Sequence, residues 1–291
     1  MKGFILVNAY SKNEEYLYQA NRLKEEFAIK GVAIDIIEGK NSFLYIENNN
    51  IISNISQYDF CVFWDKDKYI LEMLEKIGMP TFNSNYAITT CSDKMLTHIA
   101  LADKGIPMPK TYPGLLCYSK DGKIKPETLD FVETLGYPLV VKDSYGALGK
   151  GVYLAKNREE LCNLMELVKC KAHLFQEYVE TSYGRDVRVI VVGGEVLGGM
   201  LRQGNNDFRS NIGAGGSGEV FPLTEEMKQL ALKVVDVLGL DYCGMDMLFG
   251  ESGPVICEVN SNAFFCSFEK VTKINVAKKY VEHILNKINK N

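Results

Sequence analysis

The hydrophobic pattern opens with short apolar runs separated by an amphipathic segment. Residues 3–8, 32–37 and 59–64 are apolar runs that predict strands. The segment 13–30 has helical periodicity and ends at Gly31, a residue type that commonly terminates helices. This alternation predicts a small α/β lobe. No glycine-rich turn follows its first strand, so we do not expect this lobe to bind a nucleotide there.

A second helix is predicted at 92–104, because helical periodicity stops at Gly105 and the following segment, 106–109, contains two prolines that favour extended backbone. The chain then alternates between strands and helices, which indicates a compact α+β lobe. Its predicted elements are strands at 138–143, 151–155 and 173–178, a helix after Pro126 and a helix near 158–169.

The last third of the chain begins with a predicted hairpin that turns at Gly193 and Gly194. A glycine-rich loop, a helix at 224–238 and two strands follow. The terminal helix is amphipathic, with one apolar face formed by Ile274, Ala277, Val281, Ile284 and Ile288. We therefore expect three lobes, at 1–90, 91–180 and 181–291.

The final strand pair carries the most informative polar residues. Alternation puts Glu258 and Asn260 on one face, and a three-residue turn at 251–253 would set Asp246 opposite Glu258. Two carboxylates and an amide oxygen suit magnesium, and their apolar neighbours make a counter-cation expected. The alternative is an exposed hairpin face with ordinary acidic residues.

A glycine-rich loop, 146–151, follows the strand that ends with Lys142 and Asp143. Its backbone amides and the nearby lysine predict a phosphate cradle. It is not a Walker A loop, because no serine or threonine follows Lys150 and a strand comes next. An ordinary turn is the alternative.

The hairpin and the loop after it carry charged residues. Alternation puts Asp186, Arg188 and Ile190 on one face, where a surface salt bridge is the simplest interpretation. Arg202 and Arg209 then precede a glycine-rich stretch at 213–216, and guanidinium groups bind carboxylates and phosphates well. A solvated linker with two surface arginines is the alternative.

Composition narrows the function classes. The net charge of −4 disfavours a partner that is nucleic acid or anionic lipid. The early apolar run Phe4–Val7 is too short for a signal peptide, and no later run approaches a membrane span, so we expect a cytoplasmic protein without a membrane partner. Three histidines are too few for a multi-histidine zinc site, and the eight cysteines form no CxxC pair and are expected to be buried thiols.

Taken in order, the motifs resemble the ATP-grasp superfamily, and within it the branch of the ribosomal protein S6 modification enzyme and related glutamate ligases. The matching segments are Asn83, Ser84, Ala87 and Ile88; Asp93, Lys94 and Thr97; 105–109; 138–151; 175–179; 184–188; 208–211; and Asp246 with 258–262. An ordered series over about residues 80–262 is far more specific than any single motif.

The resemblance implies an ATP-grasp fold, in which an N-terminal pre-ATP-grasp (Rossmann-like) α/β lobe precedes two α+β lobes that clamp ATP. It also implies that the loop at 146–151 closes as a lid. The residues expected to bind the nucleotide are Lys94, Lys142, Gly146, Gly149, Lys150, Gly151, Glu177, Tyr178, Asp186, Arg188, Arg209, Ser210 and Asn211. Those expected at the reacting groups are Arg202, Arg209 and Asn211, and those expected to bind metal are Asp246, Glu258 and Asn260.

The reaction implied by the resemblance is ATP-dependent ligation of a carboxylate to an amine through an acyl phosphate. Expected cofactors are ATP and two magnesium ions, with manganese as an alternative. The carboxylate belongs to a small molecule or peptide, and the amine is expected to be an amino acid such as glutamate. A homo-oligomer is compatible with this reaction. The alternatives are an ATP-grasp kinase and a nucleotide-binding regulatory protein without turnover.

Overall fold

The computed structural model describes residues 1–10, 14–39, 44–146, 149–205, 207–210 and 216–290. Over these residues, the strands form sheets of four, four and five strands and one short hairpin. In the same residues, no helix combines the length and the apolar character that crossing a membrane would require.

The first sheet confirms the predicted α/β pattern. Its strands run parallel in the order β2-β1-β5-β6, so the chain leaves β1 toward one side of the sheet and later returns on the other. The elements are β1 (Lys2–Val7), α1 (Glu14–Ile29), β2 (Ala33–Glu38), the hairpin β3 (Leu44–Glu47) and β4 (Asn50–Ser53), β5 (Phe60–Trp64), α2 (Lys68–Lys76) and β6 (Thr81–Phe82).

The helix predicted at 92–104 is confirmed as α4 (Lys94–Leu101), which begins two residues later and ends three residues earlier than predicted. A helix that was not predicted, α3 (Asn85–Ser92), precedes it, and Asp93 separates the two in extended conformation. The Asp93 carboxylate accepts hydrogen bonds from the backbone N–H groups of Met95 and Leu96, which makes it the N-cap of α4. The cap therefore sets where the predicted helix begins.

The central sheet has the strand order β7-β10-β8-β9. Leu139 and Val141 face the core beneath the helices, so alternation directs Val140 and Lys142 to the opposite face. The elements are β7 (Thr111–Pro113), α5 (Pro126–Glu133), β8 (Leu139–Asp143), β9 (Val152–Ala155), α6 (Arg158–Val168), β10 (His173–Glu177) and a 3₁₀ turn at Glu180–Ser182.

The C-terminal sheet has the strand order β13-β12-β11-β14-β15. Val187 and Val189 pack beneath α7, which leaves Asp186 and Arg188 on the other face, as predicted. The elements are β11 (Arg185–Val192), β12 (Glu195–Gln203), β13 (Ser217–Phe221), α7 (Glu225–Leu238), β14 (Tyr242–Gly250), β15 (Gly253–Asn260), α8 (Cys266–Thr272) and α9 (Val276–Ile288).

The terminal helices bind the first and last lobes together. Ala277, Val281 and Ile284 of α9 are buried in one core with Ile5 and Phe27, which confirms the predicted apolar face. Ile274 precedes the helix and packs against the same core. The division into lobes at 1–90, 91–180 and 181–291 stays a prediction, because this core contains residues from both ends of the chain.

Asn83 is a buried polar link between the first lobe and the C-terminal sheet. Its Oδ1 accepts hydrogen bonds from the backbone N–H groups of Asp241 and Tyr242, at 2.6 and 2.9 Å. Its Nδ2 donates to the carbonyl oxygens of Tyr242 and Ser261, at 2.8 and 2.9 Å. One side chain therefore satisfies four backbone groups that would otherwise be buried without partners.

We expect Asn83→Ala to lower the free energy of unfolding by about 3 kcal/mol, because the four backbone groups lose their partners in a buried site. Urea unfolding followed by circular dichroism measures the change. Asn85→Ala is the matched control, since the Asn85 side chain bonds to Glu72 and Glu75 at the surface and accepts from the partly buried Thr89 hydroxyl, and none of these partners is a buried backbone group. Equal losses for the two variants would contradict the assignment of Asn83 as the link.

Candidate active site

A cavity between the central and C-terminal sheets collects most of the residues predicted from the sequence. From the central lobe, it is lined by Lys94, Lys142, Gly149, Lys150, Glu177 and Tyr178. From the C-terminal lobe, it is lined by Asp186, Arg202, Arg209, Ser210, Asp246 and Glu258.

Five predicted residues are not among the side chains that line this cavity. Gly146, Gly151, Arg188 and Asn260 belong to the described residues but contribute no lining. Asn211, together with most of the glycine-rich stretch after it, lies outside the described residues. Its expected role therefore stays a prediction.

Four alternating charges run across three strands of the C-terminal sheet. Arg202 holds Asp186 with two hydrogen bonds, of 2.7 and 2.6 Å, and its Nη2 also lies 2.8 Å from Oδ2 of Asp246. Arg188 holds Asp246 from the other side, at 2.5 and 3.1 Å. The surface salt bridge considered for Asp186 and Arg188 is wrong: both residues bind other partners, and Asp186 is buried. We call these four residues the charge row.

The two carboxylates of the charge row differ in electrostatic balance. Burial acts to raise the pKa of Asp246, but two guanidinium groups outweigh burial and hold this pKa below its usual value. Asp186 has one guanidinium partner, Arg202, which also contacts Asp246, and it accepts a hydrogen bond from the Ser210 hydroxyl. Here burial outweighs these partners and raises the pKa of Asp186. Asp246 is therefore the more firmly ionised of the two.

Asp246 lies directly opposite Glu258, as predicted, but the turn that produces this pairing was not predicted correctly. The connection is a two-residue turn, with Gly250 paired to Gly253, and it would place Asp246 opposite Cys257. An irregularity in register after Asp246 adds one residue to the second strand, so the partner becomes Glu258. A tight turn and a bulge thus replace the expected three-residue turn.

The oxygen donors near Glu258 fit a hard divalent cation. Glu258 is partly exposed to the cavity, and its Oε1 makes only a long contact, 3.7 Å, with Nζ of Lys94. Both oxygens of Asp246 already accept from arginines. Oδ2 accepts from Arg188 and Arg202, whereas Oδ1 accepts from Arg188 and retains a second acceptor site. Among the described residues, no three histidine, cysteine or acidic side chains converge as a metal site. The predicted metal site of Asp246 and Glu258 therefore depends on the Asn260 amide oxygen as its third protein ligand.

The glycine-rich loop is tied to cationic side chains at both ends. Lys94 donates from Nζ to the carbonyl oxygen of Gly146 at 3.1 Å, and Arg209 donates to that of Gly149 at 3.1 Å. Gly151 has φ of +73°, and a Cβ there would lie 2.6 Å from the Asp143 carboxylate, so only glycine fits. Ala147 and Leu148 lie outside the described residues, and closure of the loop stays a prediction.

Lys142 is a buried cation whose polar neighbours are uncharged. Its ammonium donates to Oε1 of Gln176 at 2.6 Å and lies 3.4 Å from Sγ of Cys257. Among the ion pairs of the described residues, none includes Lys142. A buried ammonium without a carboxylate favours an anionic ligand in the cavity. Gln176 and Cys257 were not predicted, because neither residue type marks a site by itself.

The other end of the cavity is less polar. Val140 precedes Lys142 by two residues and pairs with Gln176, so it lies closer to the segment 177–179 that connects the two sheets. The carboxylate of Glu177 accepts from the backbone N–H of Lys110 at 2.7 Å. The cavity therefore grades from apolar walls at this connection to cations farther along the strands.

The first lobe contributes a corner that sequence patterns did not reveal. Asn8 follows β1 and Asp65 follows β5, and Nδ2 of Asn8 donates to the Asp65 carboxylate at 3.1 Å. Asn262, just beyond β15, donates to the Asp65 carbonyl oxygen at 2.7 Å. The order in which strands are added to the sheet reverses between β1 and β5, which are parallel. The carboxyl ends of strands at such a switch point commonly bind ligands.

Lys66 directly follows Asp65 and belongs to the same corner. Although the residue as a whole is exposed, desolvation by surrounding protein lowers the pKa of its amine; Glu258 opposes this shift and Lys94 adds to it. Lys66 is not among the side chains that line the cavity, but Glu258 and Lys94, which do line it, both act electrostatically on its amine. We call Asn8, Asp65, Lys66 and Asn262 the first-lobe corner.

Comparison with known proteins gives three related findings. The family model of the RimK-like ATP-grasp domain matches residues 91–284. N-acetylaspartylglutamate synthase A of Homo sapiens is 41% identical over 217 residues, covering 73% of this chain and 54% of the relative. Beta-citrylglutamate synthase B of Danio rerio is 41% identical over 225 residues, covering 76% and 54%. The chain thus spans about half the length of these curated relatives.

A probable alpha-L-glutamate ligase of Vibrio atlanticus is 33% identical in an alignment that covers 94% of this chain and 93% of the relative. Among solved structures, D-alanine–D-alanine ligase from Bacillus anthracis complexed with ATP has a TM-score of 0.77 at 19% identity. The match covers 100% of this chain and 98% of the ligase chain. The RimK domain ATP-grasp protein of Sphaerobacter thermophilus has a TM-score of 0.73 at 18% identity, covering 97% and 99%. At these identities the structures confirm the expected fold and nothing further.

We expect Arg202→Met to lower the free energy of unfolding at neutral pH by about 3–5 kcal/mol, because it leaves Asp186 and Asp246 buried with one guanidinium between them. The pKa of each carboxyl in the folded variant should rise above its unfolded value. The deficit relative to wild type is then full above the raised pKa values of the folded variant and shrinks as the pH falls through them and both carboxyls become protonated.

Urea unfolding at several pH values measures this deficit. Arg158→Met is the control, since Arg158 pairs with Asp130 and Glu133 at the surface, where a lost pair costs about 0–1 kcal/mol. A deficit for Arg202→Met that did not change with pH would show that the loss comes from packing and not from charge.

Proposed function

We propose that this chain, which belongs to the RimK-like ATP-grasp family, ligates the carboxylate of an acid to the amine of an amino acid and converts ATP to ADP and phosphate. The observation that carries the proposal is the buried ammonium of Lys142, which pairs with no carboxylate among the described residues and lies in the cavity that also contains Asp246 and Glu258. Such a site suits a polyanion accompanied by a divalent cation.

The gradient along the cavity supports an orientation for ATP. The apolar walls near Val140 and the connecting segment 177–179 suit the adenine ring. Lys142, Lys94 and Arg209 lie farther along and suit the phosphates. In this orientation the γ-phosphate approaches Glu258 and the first-lobe corner.

The proposed metal ligands are Asp246, Glu258 and Asn260. A bound divalent cation would neutralise phosphate charge during transfer. Arg188 and Arg202 keep Asp246 ionised, so its carboxylate is available to such a cation over the neutral pH range. Lys94, 3.7 Å from Glu258, would balance the remaining negative charge.

The reaction needs positioning and charge neutralisation and does not need a protein nucleophile. A carboxylate oxygen of the acid attacks the γ-phosphorus and ADP leaves, which forms an acyl phosphate. The amine then attacks the acyl carbon, the carbon–oxygen bond to phosphate breaks, and the amine loses a proton to yield the amide. Lys142, Lys94 and Arg209 would stabilise the charge on the phosphates, and enclosure between the sheets would limit attack by water.

The names of the relatives support a class of substrates. They describe products in which glutamate is joined to N-acetylaspartate or citrate, both of which retain further carboxylates after ligation. We propose glutamate as the amine and a polycarboxylic acid as the acyl donor. The first-lobe corner is the proposed site of this acid, with Lys66 pairing a carboxylate that does not react.

Glu258→Gln should lower the turnover of ATP by about a hundredfold or more, since it removes the charge of a proposed metal ligand while keeping its shape. The measurement is release of ADP and phosphate with both an acid and an amine present, combined with the mass of the new amide. Glu251→Gln, at the turn of the same hairpin, is the control and should leave turnover unchanged.

Near wild-type turnover of Glu258→Gln would disprove the metal assignment. A stable phosphorylated acid as the final product would identify a kinase in place of a ligase. Tight nucleotide binding without turnover, in the presence of a broad set of acids and amino acids, would identify a binding protein.

Lys66→Met should raise the KM for the acid by about tenfold, because one charge-assisted hydrogen bond is lost, and should leave the KM for ATP unchanged. Steady-state kinetics with N-acetylaspartate or citrate as the varied acid and glutamate as the amine measures both constants. Lys68→Met, an exposed lysine two residues away, is the control. An unchanged KM for the acid would place its binding site elsewhere.

A further inference from the structure

The ammonium of Lys142 is held by a short hydrogen-bonded network. Lys142 donates to Oε1 of Gln176, and Nε2 of Gln176 lies 2.9 Å from Oγ1 of Thr111 and 3.1 Å from Nε2 of His98. Gln176 lines the cavity, whereas His98 and Thr111 lie behind it. The network therefore connects an interior histidine to a cation in the site.

Two neighbours fix the orientation of the Gln176 amide. An ammonium can only donate, so the atom facing Lys142 is the amide oxygen. The Thr111 hydroxyl donates its one proton to the carbonyl oxygen of Pro109, at 2.8 Å, so toward Gln176 it can only accept. Both constraints require the same orientation, with the NH₂ group of Gln176 directed at Thr111 and His98.

This orientation in turn fixes the protonation of His98. Since Gln176 donates, Nε2 of His98 must accept, and the ring is neutral with its proton on Nδ1. Nδ1 lies 3.2 Å from Sδ of Met108, and a backbone hydrogen bond to Cys257 also reaches the ring. Burial, assisted by the charge of Lys142, lowers the pKa of His98 to about 4, which agrees with a neutral ring.

We propose that His98 is a positioning residue that acts through Gln176 to orient the ammonium of Lys142 toward the phosphates of the nucleotide. The inference rests on the proposed function, in which Lys142 binds those phosphates. His98 contributes an acceptor that only a neutral imidazole supplies. If Nε2 carried a proton, Gln176 would have to turn its oxygen to His98 and present its NH₂ group to Lys142, where two donors would face each other.

The network also explains why the partner of Lys142 is an amide and not a carboxylate. A neutral oxygen holds the ammonium in place and leaves its positive charge uncompensated, so the charge remains available to a phosphate. A glutamate at position 176 would neutralise the lysine and would have no proton to donate to Thr111 or His98. Position, charge and tautomer are thus set by one chain of hydrogen bonds.

The test is calorimetric titration of the magnesium complex of a non-hydrolysable ATP analogue into folded protein. His98→Phe removes the acceptor and keeps a planar ring, and it should weaken binding by about tenfold. His98→Gln restores an acceptor through its side-chain oxygen and should recover most of this loss. Thr111→Val removes the second acceptor without touching the histidine and should weaken binding by about threefold or more.

His173→Phe is the matched control, since His173 is also buried in β10 but its Nδ1 contacts the carbonyl oxygen of Lys171, at 2.7 Å. It should bind the analogue as wild type does. Wild-type affinity in both His98→Phe and Thr111→Val would overturn the inference, even if both variants were less stable. Lys142→Met separates the two proposals: if it binds as tightly as wild type, or wild type does not bind, the proposed function fails.

Discussion

The buried row of alternating charges in the C-terminal sheet is the constraint on which the site depends. Asp186, Arg202, Asp246 and Arg188 lie on three adjacent strands, and each inner residue has an opposite charge on both sides. The row is neutral as a whole, which limits the cost of burying it. Because the directly opposed pairs are fixed by strand register, a slip of one residue would turn all four side chains away from the cavity.

The central lobe meets this neutral row with two lysines that the described carboxylates compensate only weakly or not at all. Lys142 is held by an amide, and Lys94 by a loop carbonyl and a distant carboxylate. The central lobe therefore contributes Lys142 and Lys94 to the cavity, whereas the C-terminal lobe contributes the carboxylates that suit a metal ion together with their arginine partners. A nucleotide with its metal would neutralise both walls at once, because its phosphates would pair with the lysines and its metal ion with the carboxylates.

Sequence patterns predicted the parts of this site that alternation determines. The shared face of Asp186 and Arg188 follows from the period of a strand, and so do the positions of Lys142 and Glu258. Patterns failed where local detail intervenes: they missed the helix Asn85–Ser92 that ends just before the Asp93 cap, and a bulge at Cys257 compensates a turn that is one residue shorter than expected. The bulge matters chemically, because without it a thiol would stand opposite Asp246.

Patterns also missed residues whose roles depend on partners distant in sequence. His98 and Gln176 are separated by 78 positions, and as isolated residues they resemble ordinary interior polar groups. Lys66 follows an apolar strand in a lobe that shows no nucleotide motif, and only the fold exposes its amine to the charge of Glu258. Such placements require tertiary contacts, and the periodicity of one element contains no information about them.

The attachment of the first lobe is the last constraint that the architecture imposes on function. Glu258, Asn260 and Asn262 follow one another at two-residue spacing, and Asn262 reaches the carbonyl oxygen of Asp65. Asn83 fixes the same lobe to Tyr242 and Ser261. From Glu258 to Asn262 is at most about 14 Å of extended backbone, so two of the proposed metal ligands, Glu258 and Asn260, lie on the same short segment as the Asn262 side chain of the first-lobe corner. An acid bound at the corner would therefore be placed relative to the γ-phosphate by backbone geometry, and changes in the first lobe could alter acid selectivity while the nucleotide site is preserved.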